Sequence, residues 1–302
     1  MNVKLVILML LTMLIASTAA STADVSVDQL KQLMGQTAEN LSSYTYSGSA
    51  DSSVLYRNSS FEKRLEVFQT TEGKVDLLKN SAWWSSNLAT EKNAKGLSSQ
   101  NYFINGSAYR NIGENWTKSD FNNTSRINYD FNEILGQIAL IENSNINLSG
   151  SENIGGKDYY KLQGRPTDAI YKVIIGRQIL SALFASPIQL PEKLKNQSIN
   201  IDASGLINQS NVVVTAWVSK DNSLLKKLDI NASSTITPQV LNISSPDFKI
   251  ETSLNESTVY GNFGSQMMIE LPKEAQNESS LLKGAAWTNA VRGYINSSRG
   301  MS

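Results

Sequence analysis

Four carboxylates, Glu133, Glu142, Asp158 and Asp202, are the side chains of this sequence best suited to proton transfer. Glycoside hydrolysis needs two such groups on either side of one bond in a polar cleft. Nothing in the spacing of these four brings two together, so no catalytic residue and no enzyme activity are expected. Histidine and cysteine are both absent. A Ser-His-Asp triad, a thiolate nucleophile, an imidazole or thiolate zinc site and a histidine pH switch therefore have no residues to build them. The stretch Asn200-Ile201-Asp202 lacks the alternating oxygen ligands of a calcium loop. No metal and no cofactor are expected.

The chemistry the chain does advertise is modification. Asn-x-Ser/Thr triplets occur 14 times, at Asn40, Asn58, Asn105, Asn115, Asn122, Asn123, Asn147, Asn196, Asn208, Asn231, Asn242, Asn255, Asn277 and Asn296. With 30 asparagines and roughly a one-in-five chance of Ser or Thr two places on, about six would arise by accident. The excess points to N-linked glycosylation in a host that modifies exported proteins, with Asn58, Asn105, Asn115, Asn122, Asn147, Asn208, Asn242 and Asn255 as the sites expected. Asn122 and Asn123 are adjacent, so both can hardly carry a glycan.

Export is written at the N-terminus. Lys4 is followed by the apolar run Leu5 to Ile15, then by small residues up to Ala23 and the acidic Asp24. That is the layout of a secretory signal peptide over residues 1–23, with an uncleaved anchor as the alternative. The run is short of the ~20 residues that span a bilayer as a helix. Lys plus Arg and Asp plus Glu balance at 27 each, which argues against a nucleic-acid surface. The expected location is extracytoplasmic, secreted or in the cell envelope.

The elements that would position these residues are mostly strands. Ser26 to Gln29 fits a capping box, and Val27, Leu30, Met34, Ala38 and Leu41 follow at helical spacing. From Ser43 the period changes to two. Asn105-Gly106 and Gly155-Gly156 mark two hairpins, and Lys220-Asp221-Asn222 turns a third within 212–230. Strands are also expected at Asp247 to Ile250, Ser257 to Asn262 and Met267 to Leu271. Apolar stripes predict helices from about Tyr129 to Glu142 and from about Asp168 to Ala185. Trp83-Trp84 suggests a stacking platform, although one of two adjacent strand residues normally points inward. The tail from Glu278 reads as a weakly ordered helix or an extension.

The order of these elements resembles a family. The hairpin Tyr102 to Tyr109 leading to Trp116-Thr117-Lys118, the hairpin Gly150 to Leu162, the hairpin Thr215 to Lys227 and the closing Met267 to Ala275 look like the LolA/LppX-like superfamily of exported lipoprotein and lipid carriers. The resemblance implies a mostly β (α+β) fold over residues 24–276, a curved antiparallel incomplete β-barrel with helices plugging its concave face, and residues 277–302 as a tail. It also implies a non-catalytic carrier of a lipid or acylated protein that meets a membrane surface transiently. The departures are the length, the sequon density and the insert between Phe184 and Asn211. A glycosylated cell-surface scaffold without ligand is the alternative.

Burial of a lipid releases about 0.8 kcal/mol per methylene, so a fourteen-carbon chain supplies on the order of 11 kcal/mol. The residues expected to line such a cavity are Leu65, Val67, Phe103, Tyr109, Trp116, Ile134, Ile138, Val173, Ile174, Leu180, Phe184 and Trp217, each of which also reads as plain core.

Overall fold

The computed structural model describes residues 25–92, 96–112, 115–120, 133–172, 174–175, 203–242, 247–276 and 281–282. Helix α1 (Val27–Glu39) opens with the capping box: the Ser26 hydroxyl accepts from the Gln29 N–H at 3.2 Å and Gln29 Oε1 accepts from the Ser26 N–H at 3.1 Å. Two orphan donors are thereby satisfied at the helix start. Leu30, Met34 and Ala38 form its buried face.

Two antiparallel meanders follow. The first is β1 (Ser43–Asn58), β2 (Glu62–Asp76), β3 (Ser81–Ala89), β4 (Leu97–Ile104), β5 (Ser107–Ile112) and β6 (Asn115–Asp120). Helix α2 (Glu133–Glu142) separates it from the second: β7 (Ser144–Ile154), β8 (Lys157–Pro166), β9 (Ser210–Ser219), β10 (Leu225–Ile236) and β11 (Phe248–Gly261). Between β8 and β9 lie a helical segment at 168–172 and 174–175 and the short α3 (Ala203–Asn208). Helix α4 (Lys273–Gln276) and β12 (Leu281–Leu282) come last.

Neighbours in sequence pair in space, and one long-range pairing joins the halves: β1 lies against β11, with Tyr46 opposite Tyr260. The strand order is β12-β6-β5-β4-β3-β2-β1-β11-β10-β9-β8-β7, with only β12 parallel to its neighbour. The antiparallel sheet of β1 to β11 is an incomplete, unclosed barrel, since β6 and β7 do not pair with each other.

The expected turns hold. Asn105 and Gly106 have φ of +51° and +81°, and Gly155 and Gly156 have +59° and +81°, the positive pair that a two-residue type I′ turn needs. In the third hairpin the left-handed residue is Ser223, at φ +57°. Two expectations are corrected. The strands expected at 247–250 and 257–262 are one strand, β11, because β1 is long enough to pair with all of it. Met267 to Leu271 is not a strand; it crosses the outside of the sheet. The helix expected from about Tyr129 is described from Glu133, and the one expected over 168–185 is described only to residue 175.

Antiparallel register assigns the faces, since directly opposed residues share a side and neighbours alternate. The inner face carries Tyr44, Val75, Ala82, Phe103, Leu162, Val214, Ala216, Leu228 and Tyr260, all buried beneath α1, α2 and the 168–175 segment as one core. A second, smaller core sits on the outer face, where Tyr102, Trp116 and Ala275 are buried with Trp83, Tyr109, Ile269 and Leu271 around them.

Candidate functional site

The middle of β1 is built of small residues. Its inner-face positions run Tyr44, Tyr46, Gly48, Ala50, Ser52, Val54 and Tyr56, so bulk gives way to almost nothing for three positions and then returns. The partners of Gly48 and Ala50 are polar: Thr71 and Gln69 on β2, Thr258 and Glu256 on β11, with Ser86 on β3 opposite Thr71. A cleft of about 320 Å³ results, walled by Tyr46 and Trp84 and capped by Glu133, the first residue of α2. That volume lies at the low end of small-ligand sites, about 300–1,000 Å³. On the sheet side of the cleft the hydroxyls of Thr71 and Ser86, partners on adjacent strands, lie 3.3 Å apart.

Helix α2 is tied to the sheet at this point. The Tyr44 hydroxyl accepts from the Ile134 N–H at 3.2 Å, so a strand residue satisfies one of the free amides of the helix start. Glu133 accepts a hydrogen bond from Gln137 at 2.8 Å. Tyr44, Tyr46 and Tyr260 pack with ring centroids 6.1–6.4 Å apart. Burial pushes all three phenols above their ordinary pKa; for Tyr46 and Tyr260 the Glu133 charge adds to it, and for Tyr44 so does Tyr46, while the Ile134 amide opposes. The Tyr260 hydroxyl is buried without a hydrogen-bond partner among the described residues.

The residues expected to line a cavity divide by face. Leu65 and Val67 are on the inner face, half-buried opposite Val54 and Ser52, in the rows next to the cleft along β1 and β2 but not among its lining residues. Phe103, Ile134 and Ile138 are inner but packed solid, at 0%, 0% and 3% exposure. Ile174 is half-buried against the same core. Val173, Leu180 and Phe184 lie outside the described residues.

Tyr109, Trp116 and Trp217 are on the outer face, and their place in a common lining is corrected. The reason is parity: Phe103 points in, so Tyr102 and its partner Tyr109 point out, and Trp217 lies between inward Ala216 and Val218. Trp217 donates its indole N–H to Glu152 at 2.9 Å, with the Lys227 and Lys161 ammonium groups 4.4 and 5.3 Å from its ring. That indole bond, then the two lysines, holds the Glu152 carboxyl below its usual range. Trp84 and Trp83 likewise split, Trp84 inward to the cleft and Trp83 outward under Lys74.

Sequence reasoning missed Tyr46, Gln69, Thr71, Ser86, Glu256 and Thr258. The available signal was the run Ser47 to Ser53, whose small residues in a strand this long leave space on one face. Eight sequon asparagines have described side chains, Asn40, Asn58, Asn105, Asn147, Asn208, Asn231, Asn242 and Asn255, and every one is exposed. Asn115 begins β6, and Asn122 lies outside the described residues. Among the described residues no helix is long and apolar enough to cross a membrane.

No protein-family model and no curated protein matches this chain. Solved structures do. LprF from Mycobacterium bovis is 13% identical, covers 82% of this chain and 99% of its own and has a TM-score of 0.42. The Mycobacterium tuberculosis lipoprotein LppX is 10% identical, covering 81% and 100%, with a TM-score of 0.34. A putative outer membrane lipoprotein-sorting protein domain from Vibrio parahaemolyticus is 11% identical, covering 83% and 96%, at 0.23. With TM-scores under 0.5 these likenesses carry no argument about ligand or role.

Proposed function

We propose that this chain is a non-catalytic, extracytoplasmic protein that binds a lipid or other hydrophobic ligand on the inner face of its open sheet. One observation carries the reading: the inner face is left unfilled where β1 has Gly48 and Ala50, and the next rows along β1 carry half-buried Val54, Leu65, Val67 and Leu254. A stable domain of this size ordinarily fills its concave face to crystal-like density. Space kept open over the central strands is better explained by an occupant. The polar chemistry around the gap offers no nucleophile paired with a base, which suits binding rather than turnover.

The exposed sequons support glycans at Asn58, Asn105, Asn147, Asn208, Asn242 and Asn255, with Asn115 and Asn122 proposed from sequence alone. A second reading, a glycosylated scaffold without ligand, is favoured by the polarity of the cleft, which is less oily than a simple lipid sleeve. Native mass spectrometry of protein purified gently from its own host separates the two. The expected result is a lipid adduct beside a glycan mass that a glycosidase removes. Bare polypeptide plus glycan, with no uptake of a fluorescent fatty acid or alkylammonium, would leave the scaffold standing.

A further inference from the structure

We infer that the cleft takes an amphiphile with a cationic head, seated between Glu133, Glu256, Tyr46 and Trp84, with its tail lying toward Val67, Leu65 and Leu254. The inference rests on the ligand-binding reading above and adds the chemistry of the head group.

The wall holds two carboxylates, and no lysine or arginine is among its described lining residues. Both carboxylates line this one cleft, beside Tyr46 and Trp84. Two like charges at the mouth of a partly desolvated cleft repel a carboxylate or phosphate head and attract an ammonium. The aromatic walls act in the same direction, since the faces of tryptophan and tyrosine rings attract cations within about 6 Å. Gln69, Thr71 and Ser86 supply side-chain oxygens to a head that donates hydrogen bonds. On the inner face the nearest arginine by register is Arg110, two strands beyond Trp84 and hydrogen-bonded to Asn101 at 2.8 Å.

The tail direction follows from the same register. Val67 and Leu254 lie opposite Ser52, one step along from the Ala50–Gln69–Glu256 row, and Leu65 lies opposite Val54 one step further. All three are half-buried. The head site is thus polar and the neighbouring rows are apolar, the division an amphiphile needs.

The test uses two probes with one chain length, dodecylammonium and dodecanoate, each below its critical micelle concentration, titrated into the full chain by calorimetry. The cationic probe is expected to bind at least about tenfold more tightly, a difference of ~1.4 kcal/mol. Glu133→Gln with Glu256→Gln is expected to erase most of that preference while leaving dodecanoate binding unchanged or improved. Ser86→Lys, a second route to the same point, is expected to invert the preference. Equal binding of both probes to the unsubstituted protein, or tighter binding of dodecanoate, overturns the cationic head and leaves hydrophobe binding intact. Binding of neither probe overturns both.

Discussion

Two tyrosines a few ångströms apart make opposite contributions through the same group. The Tyr44 hydroxyl accepts the Ile134 N–H, whereas the Tyr260 hydroxyl is buried without a partner among the described residues. Removing a buried acceptor strands its donor and costs about 1–2 kcal/mol, while removing an orphan hydroxyl is neutral or gains up to about 1 kcal/mol. Tyr44→Phe should therefore lower the urea midpoint, and Tyr260→Phe should leave it unchanged or raise it. A Tyr260→Phe variant weaker than Tyr44→Phe would mean that the strand hydroxyl does not hold the start of α2. At this scale the sequence was partly readable. The capping box at Ser26 was visible because its partners are three residues apart. The tie between Tyr44 and Ile134 spans 90 positions, and no local rule predicts it.

Among the elements, β1 decides most. It is the 16-residue strand that joins the two meanders, and its small central residues open the cleft. Tyr46 closes one end by lying over Gly73 of β2, its direct cross-strand partner. A Cβ at Gly73 would run into the Tyr46 ring and push it into the cleft. Overpacking of this kind costs about 1–3 kcal/mol, so Gly73→Ala should lower the urea midpoint by a matching amount and weaken ligand uptake. Gly261→Ala is the control, since its new Cβ would meet ordinary contacts at 3.7 and 3.9 Å. Equal tolerance of the two substitutions would show that the ring does not cover Gly73. Glycine in a strand signals close approach, and Gly73 was legible to that extent; the residue approaching it was not.

For the molecule as a whole, the buried phenols set the alkaline limit. Tyr44 and Tyr260 are each 0% exposed, and burial first, then neighbouring negative charge, raises both above the ordinary value of about 10. The folded state therefore keeps them neutral while the unfolded chain ionises. Their stabilising effect is complete below about pH 10 and is lost as pH rises above it, at about 3 kcal/mol per pH unit for the two together. Urea unfolding at pH 9, 10 and 11 should give midpoints that fall steeply over the last step, with a part of the phenolate absorbance, that of the buried rings, appearing only as the protein unfolds. A flat midpoint, or ionisation of all eleven tyrosines in the native state, would mean these rings are not sealed. On the acid side the sign reverses: Glu251 is held below its usual range by Lys249 and then Arg57, and its small contribution is lost as pH falls.

The sequence by itself determined the hairpins, the capping of α1, the mostly β class and the absence of histidine and cysteine chemistry. Each of these is local or compositional: a turn needs two residues with positive φ, and a cap needs partners three apart. The tertiary structure decided which face of each strand meets the helices. Strand alternation leaves that open wherever both faces carry large apolar groups, as at Trp83-Trp84, Tyr102-Phe103 and Ala216-Trp217-Val218. Tyr109, Trp116 and Trp217 went to the outer face for that reason, under the 267–276 segment or under the lysines of β8 and β10. The polar cleft was likewise settled in space, because its walls come from β1, β2, β3, β11 and α2, and only strand pairing brings residues so distant in the chain around one gap.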